Sequence, residues 1–227
     1  CSAHFFGRSG NRMSRRKPRS RKTITRAAPS REPYKKVLIV CEGEKTEPQY
    51  FENLIDHWEL SSANVLVVGD CGSDPISIVK CAKKKFNQSK KIGDPFDNVF
   101  CVFDKDSHVN YKDALAMVKN ASPTTTFESI NSVPCFEYWL LLHFFYTTRP
   151  FVGSGNKSAG QEVLAELKPY FPEYQKGSRE IYSQLIGRLT DAKTNADKSR
   201  KAAARDGTDN PSTRVDKLVN YLENLKN

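Results

Sequence analysis

The stretch Val37-Leu38-Ile39-Val40-Cys41-Glu42-Gly43-Glu44-Lys45-Thr46-Glu47-Pro48 decides how this 227-residue chain folds. Its first five residues are all apolar, as expected of a short strand covered on both faces. The next six carry three carboxylates and a glycine, which suits a turn. Pro48 then fits the first turn of a helix, with Thr46 as its cap. The apolar residues Tyr50, Phe51, Leu54 and Trp58 recur at intervals near three and four, so the helix is expected to reach about Leu60.

Outward from this unit the alternation repeats. Strands are expected at Asn64 to Val68, Val99 to Phe103 and, more weakly, Phe127 to Asn131. Helices are expected from Pro75, capped by Asp74, through Phe86, then over Tyr111 to Lys119 and over the apolar run Phe136 to Phe145. The order β-α-β-α-β-α-β-α implies an α/β fold, a parallel sheet with helices on both faces. Beyond Thr147 the pattern turns helical and polar, with helices expected over Ala159 to Lys168, Ser178 to Arg205 and Ser212 to Leu225, and a loop near Ala202 to Pro211. Three parts are therefore expected: a basic arm over 1–35, an α/β catalytic domain over 36–147, and a helical C-terminal extension over 148–227 that packs on it.

Charge separates the arm from the rest. Residues 1–36 hold twelve Lys or Arg against one acid, a net +11, whereas the whole chain is +10 and the remainder therefore −1. Residues 1–12 precede Met13, read either as translation upstream of a start there or as residues added in cloning, and are set aside. From Ser14 to Pro33 the chain is rich in Arg, Lys, Ser and Pro, and is expected to be disordered on its own. No apolar run approaches the ~18–20 residues of a membrane span, and the arm lacks the apolar core of a signal peptide. The six cysteines (Cys1, Cys41, Cys71, Cys81, Cys101, Cys135) include no C-x-x-C pair. Free, mostly buried thiols in a reducing cytoplasm are the expectation.

Ligands of open parallel sheets bind beyond the carboxyl ends of the strands. The first strand runs into Glu42 and Glu47, and the third into Asp104-Lys105-Asp106. Neighbouring strands lie ~5 Å apart, so acids at two such ends can share a divalent cation, and hard oxygen donors suit Mg²⁺. Acid-rich turns are also common for solvation alone. It is the pairing of E-G-x-x-T-E with D-x-D, each after a buried strand, that favours a metal site.

These motifs carry a resemblance. VLIVCEGEKTEPQYF followed by VFDKD resembles the Toprim domain of topoisomerases, primases and OLD-type nucleases. With SVPCFEYWLLLHF and NPSTRVDKLVNYL added, the chain resembles the RloB-like proteins over Val37 to Leu222. The resemblance implies a Toprim-like sheet and a nuclease using Mg²⁺ or Mn²⁺. Glu42 corresponds to the Toprim glutamate, a metal ligand with a part in proton transfer, and Asp104 and Asp106 to the metal-holding aspartates. Glu47 is similar to a second acid of OLD-type sites, at a spacing one residue longer than in some of them. Glu137, costly to bury among apolar neighbours unless paired or metal-bound, is a further candidate ligand, or else a solvated helix-start acid. The resemblance also implies an antiphage or abortive-infection role beside an ABC-type ATPase partner, and leaves a homo-oligomer open.

Among the basic residues, Lys45 and Lys105 stand between the acids. Each either neutralises a scissile phosphate during catalysis or offsets carboxylate repulsion. Lys193 is a weaker phosphate-contact candidate by analogy with OLD-type enzymes, and His143 is expected to be a core histidine. Arg15, Arg16, Lys17, Arg19, Arg21 and Lys22 of the arm, with Lys83 and Lys84 of the second helix, form the candidate nucleic-acid surface. RNA and DNA are not distinguished. Nucleotidyl transfer or small-nucleotide cleavage, and a non-catalytic binding or ATPase-regulating module, are the competing readings.

Overall fold

The computed structural model describes residues 1–2, 35–60, 64–106, 108–124 and 126–225. Arg15, Arg16, Lys17, Arg19, Arg21 and Lys22 lie outside the described residues, as does the expectation of a disordered arm. The chain divides after Pro33, and the fold belongs to the second unit, Tyr34–Asn227.

Its elements are β1 (Val37–Cys41), α1 (Thr46–His57), β2 (Val65–Val68), α2 (Pro75–Lys91), β3 (Asn98–Asp104), α3 (Tyr111–Lys119), β4 (Phe127–Val133), α4 (Glu137–Leu141), α5 (Ala159–Leu167), α6 (Ile181–Leu185), α7 (Leu189–Arg205), β5 (Ser212–Thr213) and α8 (Val215–Asn224). The strands lie in the order β2-β1-β3-β4-β5. The first four are parallel. The wholly parallel sheet expected from the sequence is corrected at one edge, where β5 pairs antiparallel with Ser132 and Val133. A two-residue strand is too short to show any alternation.

β1 is buried along its whole length because both faces are covered. Leu38 and Val40 pack with Ile78, Val79 and Phe86 of α2 and Ala114 of α3. Val37, Ile39 and Cys41 face the other core, built from α1, α4 to α8 and an aromatic group around Tyr50, Phe51, Phe136 and Trp139. Polar tips within that group are satisfied: Trp139 Nε1 donates to Tyr50 Oη at 2.9 Å, and Trp58 Nε1 to Tyr182 Oη at 2.6 Å. Residues beyond 147 are thus built into the sheet and its second core.

Several element boundaries differ from expectation. Asp74 caps α2 as expected, accepting from the Ile76 and Ser77 amides. Thr46 does not cap α1. Lys45 holds the cap position, and the Thr46 hydroxyl instead accepts from the Gly177 amide at 3.2 Å. The long helix expected from Ser178 is broken by a tight turn over Ile186–Arg188. Gly187, which costs a helix interior about 1 kcal/mol, lies in that turn. The expected loop from Ala202 begins only after Arg205. α4 ends at Leu141, where the amides of His143 and Phe144 turn to carbonyls three residues back.

Cys41, Cys101 and Cys135 are buried free thiols. Cys71 and Cys81 are not free: they form a disulfide. The turn before α2 and the helix's second turn bring their Cα atoms to 5.9 Å, within the range such a bond spans. Among the described residues no helix is long and apolar enough to cross a membrane.

Candidate active site

Register places the acids. Cys41 pairs with Val102, and Asp104 with Ser132, so Glu42 and Asp104 leave adjacent central strands at the same edge of the sheet. Glu42 is fixed from two sides. Its Oε2 accepts from the Asp104 amide at 2.9 Å, and its Oε1 lies 2.7 Å from His108 Nε2. Asp104 Oδ2 in turn accepts from the Phe136 amide at 3.0 Å, tying β3 to the start of α4. Asp106 is exposed at φ 27°, a conformation Asp tolerates better than most residues. Its amide donates to the Pro134 carbonyl at 2.9 Å.

Glu47 reaches back from the first turn of α1 over Gly43. A Cβ at Gly43 would stand 2.2 Å from Glu47 Oε2, which gives this glycine a steric reason. Gly69 serves the same packing, since its Cβ would meet Pro48 Cγ at 2.5 Å and the Gly43 carbonyl at 2.6 Å. Glu137, at the start of α4, is 4% exposed. Tyr174 Oη donates to its Oε1 at 3.1 Å, and Lys176 Nζ lies 2.9 Å from the same oxygen.

Glu42, Glu47, Asp104, Asp106 and Glu137 line one cleft of about 800 Å³ with Lys45, Lys176, Gly72, Ser73 and part of α5. The cleft concentrates like charge. Burial, then Glu47, Glu137 and Glu42, push the Asp104 carboxyl well above the ordinary range, while the Phe136 amide pulls it back. Burial foremost, with Glu137 and Glu42 adding to it, lifts Glu47 to about 7 against the pull of its own backbone amide. Glu42 is raised by burial, against the Asp104 amide and His108. Buried carboxylates that raise one another are relieved either by protons or by a cation.

In chemistry, this donor set fits a hard dication: several oxygens, excess negative charge and access from solvent. Among the described residues, no three acid, imidazole or thiol groups are already gathered as ligands. The partners explain why: Glu42 is engaged by His108 and a backbone amide, and Glu137 by Tyr174 and Lys176. A cation would have to replace some of these contacts.

The other candidates divide. Lys45 is exposed on the cleft rim. Lys105 is not among the lining residues; its ammonium sits between Asp209 Oδ1 and Oδ2 at 2.7 and 2.8 Å. Lys193, singled out by analogy with OLD-type enzymes, pairs with Glu223 in the α7–α8 layer and is not among the residues that line the cleft. His143 is the expected core histidine, its Nδ1 3.0 Å from the Trp139 carbonyl, and burial lowers its pKa to about 4. Lys83 and Lys84 lie on α2 and are not among the residues that line the cleft. Sequence reading missed His108, Tyr174 and Lys176. A histidine four residues after Asp104 was a usable signal. Tyr174 and Lys176 sit in an unpatterned polar loop that only the tertiary fold brings to Glu137.

The sequence model of one protein family, described as "RloB-like protein", matches residues 37–222. That span holds every element from β1 through most of α8 and stops short of the arm. No curated protein and no solved structure matches the chain.

Proposed function

The chain belongs to the RloB-like family, and we propose that it is a divalent-metal-dependent nuclease with a Toprim-type centre. One observation carries this reading: Glu42 and Asp104, at adjacent strand ends, share a solvent-open cleft with Glu47, Asp106 and Glu137, and burial among neighbouring carboxylates raises the pKa of Glu42, Glu47 and Asp104. Like charges gathered in one cleft are destabilising, and a bound cation removes that penalty without the loss of charge that protonation brings. Glu42, Glu47, Asp104 and Asp106 would hold Mg²⁺ or Mn²⁺, with Glu137 joining once released from Lys176. Such an ion supplies Lewis-acid stabilisation of a phosphodiester and its leaving oxygen.

The chain's own groups have roles beside it. The Asp104 amide fixes Glu42 Oε2, and a proton can pass between Glu42 Oε1 and His108 Nε2 across 2.7 Å. Lys45 and Lys176 place positive charge at the rim, where a phosphate would enter. Lys105 holds the Asp209 loop beside β3 rather than touching the reacting phosphate. The cellular role proposed, by family resemblance, is the effector of a bacterial antiphage or abortive-infection module controlled by an ABC-type ATPase.

The test incubates purified full-length protein with tRNA, single-stranded DNA and duplex DNA in Mg²⁺, Mn²⁺ or EDTA. Cleavage of at least one polymer is expected with metal and not in EDTA, falling about 10²-fold or more in Glu42→Gln and Asp104→Asn. Undiminished cutting in EDTA, or by both variants, would overturn the assignment. Turnover of nucleotides alone would move the site to the small-nucleotide reading.

A further inference from the structure

Among the helices of the described residues, α2 is set apart by carrying lysines and no acid. Elsewhere many basic side chains are matched by acids: Lys36 with Asp94, Arg149 with Glu166, Arg200 with Asp216, Lys201 with Asp197, Arg214 with Glu128. α2 contains Lys80, Lys83, Lys84, Lys85, Lys90 and Lys91 and no acid at all. Among the described residues none of these six has a carboxylate within ion-pair distance.

The placement is directional. At 100° per residue, Lys80, Lys84 and Lys91 fall on one line of the helix with Asn87 and Gln88 between them. All five are exposed, opposite the buried face of Ile78, Val79, Ala82 and Phe86. The helix starts beside the candidate active site, because Gly72 and Ser73, just before the Asp74 cap, line the carboxylate cleft, and the lysine line begins at Lys80, about 7.5 Å further along the axis. It ends at Lys91, sixteen residues beyond Pro75, or about 24 Å at 1.5 Å per residue. A hollow of about 360 Å³ flanks it beside Lys83 and Asn87, lined also by Phe86, Phe127, Asn120 and Ser122. Amide groups and apolar surface there suit a base more than a second protein's acidic side chain.

We infer that α2 is a track for the phosphate backbone of an extended nucleic acid, leading from Lys91 into the cleft. The inference rests on the nuclease reading only for what happens at the cleft end. Its consequence is a length requirement. At about 3.4 Å per nucleotide along a base-stacked strand, 24 Å holds about seven nucleotides, so stacked substrates shorter than roughly eight do not reach from the cleft to Lys91. A small nucleotide gains nothing from the track. Free nucleotides are therefore excluded as the preferred substrate class, and polymers favoured.

The test measures binding in EDTA, apart from chemistry, using fluorescein-labelled single-stranded oligonucleotides of 4, 8, 12 and 16 nucleotides and full-length protein. Lysine acetylation followed by mass spectrometry reports which lysines the oligonucleotide covers, so contacts by the N-terminal arm are scored separately. The 12- and 16-mers should protect Lys80, Lys84 and Lys91, and the 4-mer should leave Lys91 reactive. The triple variant Lys80→Glu/Lys84→Glu/Lys91→Glu should bind the 16-mer at least about 10-fold more weakly and lower the salt slope by about 2, from three phosphates at ~0.7 each. Unchanged affinity and slope, or equal acetylation with and without the 16-mer, would overturn the track. So would protection by polyglutamate but not by oligonucleotides, which would make the partner an acidic protein. Protection without cleavage in any metal would remove the nuclease reading and leave the track standing. Cleavage of the 4-mer as fast as the 16-mer, unaffected by the triple variant, would do the reverse.

Discussion

Two acids of this chain, one buried in the C-terminal layer and one half-buried in the cleft, are treated in opposite ways. Asp216, at the start of α8, is 2% exposed and lies against a guanidinium. Arg200 Nη2 donates to its Oδ2 at 2.8 Å, and Nη1 also reaches the Thr213 carbonyl at 2.6 Å. Asp104, at the end of β3, receives one backbone amide and is surrounded by Glu42, Glu47 and Glu137. The first is a structural pair that closes the C-terminal layer onto β5. The second accumulates charge that the fold does not neutralise. A charge left uncompensated where compensation was sterically possible marks the place where something external is expected to bind.

The largest effect should come from breaking the structural pair. Arg200→Met leaves Asp216 buried and unpaired, a loss of about 3–5 kcal/mol, visible as a lower Tm in EDTA. Asp104→Asn removes charge from the repelling cluster and should leave the metal-free Tm unchanged or higher. Equal destabilisation by both variants would erase the distinction between the two regions.

Metal should then separate them in the other direction. Saturating Mn²⁺ is expected to stabilise the native protein by about 2–3 kcal/mol at 100 times its Kd. Arg200→Met should keep that increment, whereas Asp104→Asn should lose most of it. A thermal shift that survives in Asp104→Asn would place the ion elsewhere.

A smaller effect follows from protons. Glu47 titrates near 7 in the folded chain, against 4.5 as the ordinary value. Between those limits the folded state holds a proton that the unfolded state has lost, so metal-free stability falls as pH rises from about 4.5 to about 7. His143 works oppositely. Its pKa is lowered to about 4 from 6.5, so its contribution is lost as pH falls through that interval. The difference between native protein and Glu47→Gln isolates the carboxyl: the variant should gain stability progressively as pH rises from 4.5 to 7.5 and gain nothing at pH 4.5. A constant difference across that range would show that Glu47 is not held among like charges.

Local pattern carried much of this architecture, and its failures are instructive. The run VLIVC and the spacing of Tyr50, Phe51 and Leu54 were enough for β1 and α1, because burial on two faces and on one stripe leaves different periodicities. The neighbouring positions of Glu42 and Asp104 were also legible, since parallel strands deliver their carboxyl ends to one edge. β5 was not, because Ser212 and Thr213 are two residues whose strand character comes wholly from pairing with Ser132 and Val133. Lys176 was invisible for a different reason. It meets Glu137 from 39 residues away, and neither the loop nor the lysine has any local feature that announces the contact. The part of the site supplied by strand ends follows a rule of topology, while the part supplied by long-range packing follows none readable along one chain.

Gly43 gives the smallest effect on stability and the sharpest separation of packing from site geometry. In Gly43→Ala, the new Cβ would overlap Glu47 Oε2, 2.2 Å away. The obstructing atom is the free end of a flexible side chain, so the carboxylate can swing aside, and the cost to folding should stay within about 1 kcal/mol. What moves, however, is a proposed ligand. Affinity for Mn²⁺ should therefore fall by roughly 10-fold, while the Arg200–Asp216 pair and the metal-free Tm stay near native. Titration calorimetry beside a thermal melt in EDTA reads both quantities. If Gly43→Ala binds Mn²⁺ as the native protein does, Glu47 is not a ligand, and its raised pKa belongs to packing alone.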